Sequence, residues 1–169
     1  MIKTKGFSLW LVPTADIYKK LAPLISRLSR ENHTPNFEPH VTLLGELIYQ
    51  KKDIIEKTSR LASSLKPFTI TLETVKYLDK YFQCLFIKAK KTPGLLKANA
   101  LARKIFGRPE DLEYMPHLSL MYGDFTPDKK EEIIRRTGKS FYASFKAKSI
   151  YLYSTEGEPK DWRSIGEFP

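Results

Sequence analysis

Two short segments decide how this chain folds: PHVTLL at residues 39–44 and PHLSLM at residues 116–121, with their histidines 77 residues apart. Each segment places a histidine two positions before a hydroxyl residue, inside an apolar run that is typical of a β-strand. Side chains alternate between the two faces of a strand, so histidine and hydroxyl project together, roughly 7 Å apart along the chain. We expect two such strands facing each other to form a site with two histidines and two hydroxyls.

The same order of predicted elements surrounds both segments. A strand and a helix precede each segment, and a helix and a strand follow it. The first set is Phe7–Val12, Asp16–Ser29, Lys52–Leu65 and Phe68–Leu78; the second is Phe82–Ala89, Leu95–Phe106, Pro127–Thr137 and Phe145–Tyr153. This pattern predicts a single compact α+β domain over residues 1–169, built from duplicated lobes at approximately 7–78 and 82–155. The lobes would be related by an approximate two-fold axis, with the site in the cleft between them.

Composition narrows the class of protein. A chain of 169 residues with 41% hydrophobic content can bury a sizeable core. No apolar run is long enough to span a bilayer and no signal peptide is visible, so we expect no membrane association and a cytoplasmic location. The single cysteine, Cys84, cannot form an internal disulfide and is expected to be a small buried residue. The sequence carries no signal for the oligomeric state.

The net charge of +10 favours anionic partners. Such a charge concentrates phosphate-bearing substrates near the protein and favours weak, salt-sensitive contact with RNA or DNA. The basic residues are spread over predicted helix faces and loops, where solvation explains them equally well. Charge alone therefore does not define a nucleic-acid groove.

Two histidines and two hydroxyls suit the chemistry of a phosphodiester. Hydroxyls can donate hydrogen bonds to phosphate oxygens, and imidazoles exchange protons near neutral pH. Opening a cyclic phosphate with water requires one base and one acid, which a neutral and a protonated histidine supply. A Ser/His/Asp triad lacks its acidic partner in both motifs. A metal centre would need further Asp, Glu or Cys ligands, so we expect neither a metal nor another cofactor.

Several other side chains are candidates for contact with a substrate. Phe82 and Trp162 could stack on a nucleobase, and both also suit core positions. Trp10 alternates with Leu9 and Leu11, which favours packing. His33 lies in a polar stretch without a motif and is interpreted as a loop residue.

The chain resembles the 2H phosphoesterase superfamily, named for two H-x-T/S motifs, here His40-Val41-Thr42 and His117-Leu118-Ser119. The resemblance covers nearly the whole length. The stretches SLWLVP at 8–13 and HLSLMYG at 117–123 are more similar to the plant and fungal cyclic nucleotide phosphodiesterases than to the bacterial RNA 2',5'-ligase-like branch. The resemblance implies a bilobal α+β fold, with two antiparallel sheets lining a central cleft and helices on the outside.

The resemblance also implies an activity, which is metal-independent hydrolysis of 2',3'-cyclic phosphates on nucleotides to the 2'-phosphate. ADP-ribose 1'',2''-cyclic phosphate from tRNA splicing is the related substrate in that branch. It implies that His40 and His117 are the acid/base pair and that Thr42 and Ser119 are phosphate ligands. By resemblance His117 is the base and His40 the acid, although the sequence itself does not distinguish these roles.

The resemblance further places Tyr122 close to the substrate. The corresponding position after the first motif is Gly45, so the two lobes differ there. Two alternatives stay open from the sequence. One is processing of longer RNA, by hydrolysis of a cyclic phosphate at an RNA end or by reversible 2',5' joining. The other is a non-catalytic RNA-binding module that retains the cleft.

Overall fold

The computed structural model describes residues 2–169, and within that range the chain forms four α-helices and eight β-strands. The helices are α1 Ala15–Asn32, α2 Lys51–Ser63, α3 Pro93–Ile105 and α4 Pro127–Thr137. The strands are β1 Phe7–Leu11, β2 Val41–Leu47, β3 Phe68–Lys76, β4 Leu85–Ala89, β5 His117–Met121, β6 Ser140–Ala147, β7 Ile150–Ser154 and β8 Arg163–Phe168. The predicted α+β class is confirmed, and the predicted helices agree with the observed ones to within a few residues.

All strands join one antiparallel sheet in the order β6-β3-β4-β5-β2-β1-β7-β8. The strands on the two sides of the centre correspond to the two expected sheets. They are connected where β2 meets β5, through the pairing of Val41 with Leu118. The expected two sheets are therefore two halves of one continuous sheet.

The halves of the sheet are not the halves of the sequence. β3, which closes the first predicted repeat, pairs with β4 and β6 of the second. β7, from the second repeat, pairs with β1. Helices cross in the same way, since α1 contacts β5 and α3 contacts β2. Each half of the sheet is thus completed by a strand from the other part of the chain. The repeats at 7–78 and 82–155 stay a prediction.

Two strand predictions were wrong. The expected strand Phe145–Tyr153 is interrupted after Ala147, so that its residues belong to β6 and β7, which lie in different halves of the sheet. The expected strand Phe82–Ala89 begins only at Leu85, because Tyr81–Gln83 form a 3-10 turn. Phe82 therefore lies in this turn and not in a strand. Strand β8 was not predicted at all.

Alternation along β2 and β5 separates the core from the cleft. Val41, Leu43 and Leu118 are completely buried and face the helices, as does Leu120. The intervening positions carry the histidines and hydroxyls on the opposite face. Helix starts follow ordinary capping chemistry: the hydroxyls of Thr92 and Thr126 accept from backbone N–H groups of α3 and α4. Thr14 precedes α1 but instead donates its hydroxyl to Asp16.

Truncation of Leu118 measures how much the junction between the two halves of the sheet contributes to the stability of the fold. Because its side chain is completely buried where the halves meet, Leu118→Ala should lower the free energy of unfolding by about 3 kcal/mol. Urea denaturation followed by circular dichroism measures this loss. Leu112→Ala is the matched control, since Leu112 is 91% exposed and its truncation should change stability by less than about 0.5 kcal/mol. Equal effects of the two substitutions would contradict the proposed importance of the junction.

Candidate active site

The residues of both motifs line one cleft of about 590 Å³. Since Val41 lies opposite Leu118 in antiparallel register, continuing that register sets His40 across from Ser119 and Thr42 across from His117. Side chains at such positions are neighbours on one face of a sheet, with Cβ atoms about 5 Å apart. Each histidine thus stands beside the hydroxyl of the other motif as well as that of its own. The structure brings together every site residue predicted from the sequence: His40, Thr42, Phe82, His117, Ser119, Tyr122 and Trp162 all line this cleft.

Both imidazoles are held in the same way. Nδ1 of His40 lies 2.6 Å from the carbonyl oxygen of Glu38, and Nδ1 of His117 lies 2.8 Å from that of Met115. A carbonyl oxygen can only accept, so each Nδ1 carries the hydrogen and donates it. In the neutral ring, Nε2 is then the atom with the free lone pair. The fold therefore fixes one tautomer at both sites and leaves Nε2 available for proton exchange.

The surroundings of His40 are aromatic. Its ring stacks on the indole of Trp10 with centroids 3.6 Å apart and planes 6° from parallel. Tyr153, from the strand on the other side of β1, stacks on the same indole at 3.8 Å. The Trp10 Nε1–H donates to the Ser8 hydroxyl over 2.8 Å. This stack fixes the plane of the His40 ring from behind.

Trp10 was expected only to pack in the core. It is buried, but it also lines the cleft together with Ser8. The signal that could have revealed this was alternation within β1, which sets Ser8 and Trp10 on the face opposite Leu9 and Leu11. The stack on His40 depends on the pairing of β1 with β2, which the local sequence pattern does not specify.

Burial shifts both histidines in the same direction. It lowers the pKa of His40 to about 4, opposed by the hydrogen bond to Glu38 and assisted by the nearby His117. Burial also lowers the pKa of His117, opposed by the hydrogen bond to Met115. Phe86 contacts His117 with its ring inclined by 61°, so His117 lacks the parallel aromatic surface that His40 has. With both pKa values lowered, the two imidazoles of the free protein are mainly neutral near pH 7.

The hydroxyl side chains are held less symmetrically. Ser119 Oγ donates to the carbonyl oxygen of Phe82 over 3.1 Å, which ties β5 to the 3-10 turn. Burial raises the pKa of Tyr122, against the opposing effect of a side-chain hydrogen bond with Ser119. Tyr122 stacks on Phe37 at 3.9 Å. Gly45, at the corresponding position of the first motif, lines the same cleft without any side chain to match Tyr122.

Four aromatic side chains line the cleft together, and we call them the aromatic wall: Tyr81, Phe82, Tyr122 and Trp162. Ring centroids in this wall lie 5.0 to 6.4 Å apart. The Trp162 Nε1–H donates to the Thr4 hydroxyl over 3.1 Å, and Thr4 pairs with Gly157. The participation of Thr4 was missed because the segment before β1 has no motif.

The remaining sequence candidates lie apart from this chemistry. His33 caps the C-terminus of α1 in a left-handed conformation with φ 55° and is not part of the cleft lining. Cys84 is buried as expected, and burial raises the pKa of its thiol to about 11. Residues 2–169 contain no cluster of three His, Cys, Asp or Glu side chains arranged to hold a metal ion. No helix in the same range is both long and apolar enough to cross a membrane.

Solved structures share this fold. A Thermus thermophilus protein superimposes with a TM-score of 0.69 at 19% identity, covering 96% of each chain. Escherichia coli LigT in complex with 3'-AMP gives a TM-score of 0.62 at 15% identity, covering 98% of each chain. The chain therefore has the fold of LigT and of the Thermus protein.

Sequence relatives define the family more narrowly. Residues 5–168 match the family described as "Cyclic phosphodiesterase-like protein". The cyclic phosphodiesterase of Arabidopsis thaliana is 26% identical over 97% of this chain and 94% of its own length. A 2',3'-cyclic-nucleotide 3'-phosphodiesterase of Yarrowia lipolytica is 27% identical over 95% of this chain and 98% of its own length. The chain belongs to the cyclic phosphodiesterase-like family, which confirms the resemblance to the plant and fungal branch.

The burial of His40 predicts an unusual titration. In the free protein, the proton resonances of its ring should shift with a midpoint near pH 4, because burial penalises the imidazolium. Proton NMR from pH 3.5 to 8 measures this midpoint, and the His40 resonance is the one missing from the spectrum of His40→Asn. A midpoint near 6.5, the ordinary value for histidine, would contradict the burial argument.

Proposed function

We propose that this protein hydrolyses 2',3'-cyclic phosphates of nucleotides to the 2'-phosphate without a metal ion, with His40 and His117 as its acid/base pair. One observation carries the proposal: two imidazoles with the same fixed tautomer line a single cleft beside Thr42 and Ser119. The relatives named as cyclic phosphodiesterases support the reaction class. The LigT complex with 3'-AMP supports binding of a nucleotide within this fold.

The reaction requires one proton to be removed and one to be delivered. A water oxygen attacks phosphorus while Nε2 of the basic histidine takes the proton from that water. The bond between phosphorus and the 3' oxygen breaks, and Nε2–H of the acidic histidine protonates the departing oxygen. The products are a 2'-phosphomonoester and a free 3' hydroxyl. Thr42 donates a hydrogen bond to a non-bridging oxygen as negative charge builds there. Ser119 does the same once its single hydroxyl hydrogen turns from the carbonyl oxygen of Phe82 to the phosphate.

We assign His40 as the acid and His117 as the base. Both are mainly neutral in the free protein, so binding of the anionic cyclic phosphate must raise the pKa of the acid enough to protonate it. The face of the Trp10 indole against His40 stabilises an imidazolium there. His117 has no comparable surface, since the Phe86 ring is inclined to it. This difference supports the assignment, whereas the deeper burial of His40 opposes it.

The aromatic wall supports a nucleotide as the substrate. Every nucleobase can stack on an aromatic side chain, whichever base it is. Phe82 and Trp162 line the cleft and could receive one. ADP-ribose 1'',2''-cyclic phosphate is included among the proposed substrates. A role in RNA metabolism, including tRNA splicing, and a cytoplasmic location, both expected from the sequence, belong to this proposal.

The net charge of +10 favours a second candidate, in which the cyclic phosphate stands at the end of an RNA chain. The cleft chemistry is the same in both cases, so the substrate distinguishes them. A non-catalytic RNA-binding module is the alternative without turnover.

Turnover by the single-histidine variants tests the proposal. Phosphorus NMR in the presence of EDTA should show 2',3'-cyclic AMP and an RNA oligomer with a terminal cyclic phosphate opening to the 2'-phosphate. His40→Ala and His117→Ala should each lower turnover by about 100- to 10,000-fold, the usual contribution of general acid–base catalysis. His33→Ala is the matched control and should retain full turnover, since His33 does not line the cleft. Salt-sensitive retention of the oligomer without any hydrolysis would instead indicate an RNA-binding module.

The pH profile provides an independent check. Because the pKa of each free histidine lies below its ordinary value, the fraction of free enzyme that holds the one required proton falls about tenfold per pH unit above about pH 6.5. We therefore expect kcat/KM for 2',3'-cyclic AMP to fall as pH rises from 6.5 to 8.5. Initial rates in a constant-ionic-strength buffer measure the slope. A kcat/KM that rises over this interval would rule out the two-histidine assignment.

A further inference from the structure

A second cavity of about 690 Å³ opens directly beside the first. The two cavities have common walls, so they form one continuous groove past the catalytic histidine of β5. The common residues are Thr42, Gly45, Glu46, Lys80, Gln83 and His117. In the proposed function a cyclic mononucleotide occupies the first cavity, held by its phosphate and its base, which leaves the second cavity without an assigned occupant.

The walls of the two cavities differ in chemistry. The first contains the aromatic wall. The second is lined by polar residues of α3, by the loop between α3 and β5, and by leucines that include Leu43, Leu44 and Leu78. Asn99 donates to the carbonyl oxygen of Leu43 over 2.8 Å, and the Tyr114 hydroxyl donates to that of Thr42 over 2.8 Å. These bonds join the walls of the second cavity to β2, and the polar side chains of the lining can contact a hydrophilic part of a ligand.

Most charged groups around the second cavity already have partners. Arg108 pairs with Asp111, with Nη2 and Oδ2 2.6 Å apart, and Glu113 pairs with Lys91. Arg103 donates to backbone carbonyl oxygens of the loop. Lys80 is exposed where the cavities meet, and it forms no ion pair within residues 2–169. Its ammonium is therefore available to an anion that lies across the junction.

The covalent structure of a ribonucleotide indicates which anion reaches Lys80. On the ribose ring the base is attached next to the 2' carbon, whereas the 5' substituent leaves from the carbon next to the 3' carbon. When the 2',3' edge faces His40 and His117 and the base meets the aromatic wall, the 5' substituent points away from that wall. The second cavity adjoins the first at Thr42 and His117, so a 5' substituent that leaves the first cavity beside these residues enters it.

We propose that the second cavity receives a phosphate carried on the 5' oxygen of the same ribose, with Lys80 as its binding residue. The inference rests on the proposed function, because it uses the expected orientation of the cyclic phosphate. The 5' phosphate can belong to a free nucleotide or to the internucleotide linkage of an RNA end. Glu46 also lines the junction, in a left-handed conformation with φ 54°, and forms no ion pair within the described range 2–169. Its carboxylate opposes an anion at this position.

A ratio of kcat/KM values tests the subsite. Wild-type protein should prefer adenosine 5'-phosphate 2',3'-cyclic phosphate to 2',3'-cyclic AMP by about fivefold at low salt, the value of one exposed ion pair. Lys80→Gln should reduce this ratio to about one, and Glu46→Gln should increase it. Lys52→Gln removes an exposed charge outside both cavities and should leave the ratio unchanged. An equal ratio in wild type and Lys80→Gln would overturn the inference.

Two further arms complete the experiment. The dinucleotide ApA with a terminal 2',3'-cyclic phosphate carries the 5' phosphate as a diester, and a preference for it identifies an RNA end as the source. Calorimetric binding of adenosine 2',5'-bisphosphate and of adenosine 2'-phosphate tests the subsite without turnover. The subsite predicts that wild-type protein binds the bisphosphate more tightly than the monophosphate and that Lys80→Gln abolishes this difference. Such a result would support the subsite even if no substrate were hydrolysed. Equal binding of the two ligands would overturn it while leaving the hydrolytic function intact.

Discussion

The antiparallel pairing of Val41 with Leu118 is the contact on which the site depends. It sets the register that places each histidine across from the hydroxyl of the other motif. A slip of one residue would turn the histidine and the hydroxyl of one motif toward the core. Little direct strand pairing supports this junction. Its stability comes from the helices behind it, since α1 packs on β5 and α3 on β2. The geometry of the site is therefore set by packing on the opposite face of the sheet.

The two motifs are nearly equivalent in their backbone contacts and different in their surroundings. Each imidazole donates to a carbonyl oxygen two residues earlier, so both rings expose Nε2 in the same way. The two histidines can therefore differ in their protonation state more than in the nitrogen that they expose. A neutral pair cannot act as acid and base at once, so in the proposed mechanism the substrate anion creates the difference. Trp10 beside His40 and the inclined Phe86 beside His117 are the protein groups that bias where the proton goes.

Local sequence patterns predicted the parts of the fold that depend on local physics. Alternation within 39–44 and 116–121 correctly assigned β2 and β5, and apolar periodicity located all the helices observed within 2–169. The patterns failed where strand pairing over long distances decides the structure. No Gly or Pro marks the break after Ala147, so β6 and β7 read as one strand. The stack of Trp10 on His40 and the arrival of Thr4 beside Trp162 likewise depend on which strands become neighbours.

The exchange of β3 and β7 between the halves of the sheet bears on how such a chain could arise. A single strand-helix-strand-helix-strand unit of this kind cannot place its last strand beside its own first strand, because that position belongs to the last strand of another unit. Two separate copies would complete their sheets only by trading these strands. If the predicted repeats arose by duplication of a half-length ancestor, that ancestor would have formed a strand-swapped homodimer. The cleft would then have been shared between two subunits before one chain contained both halves.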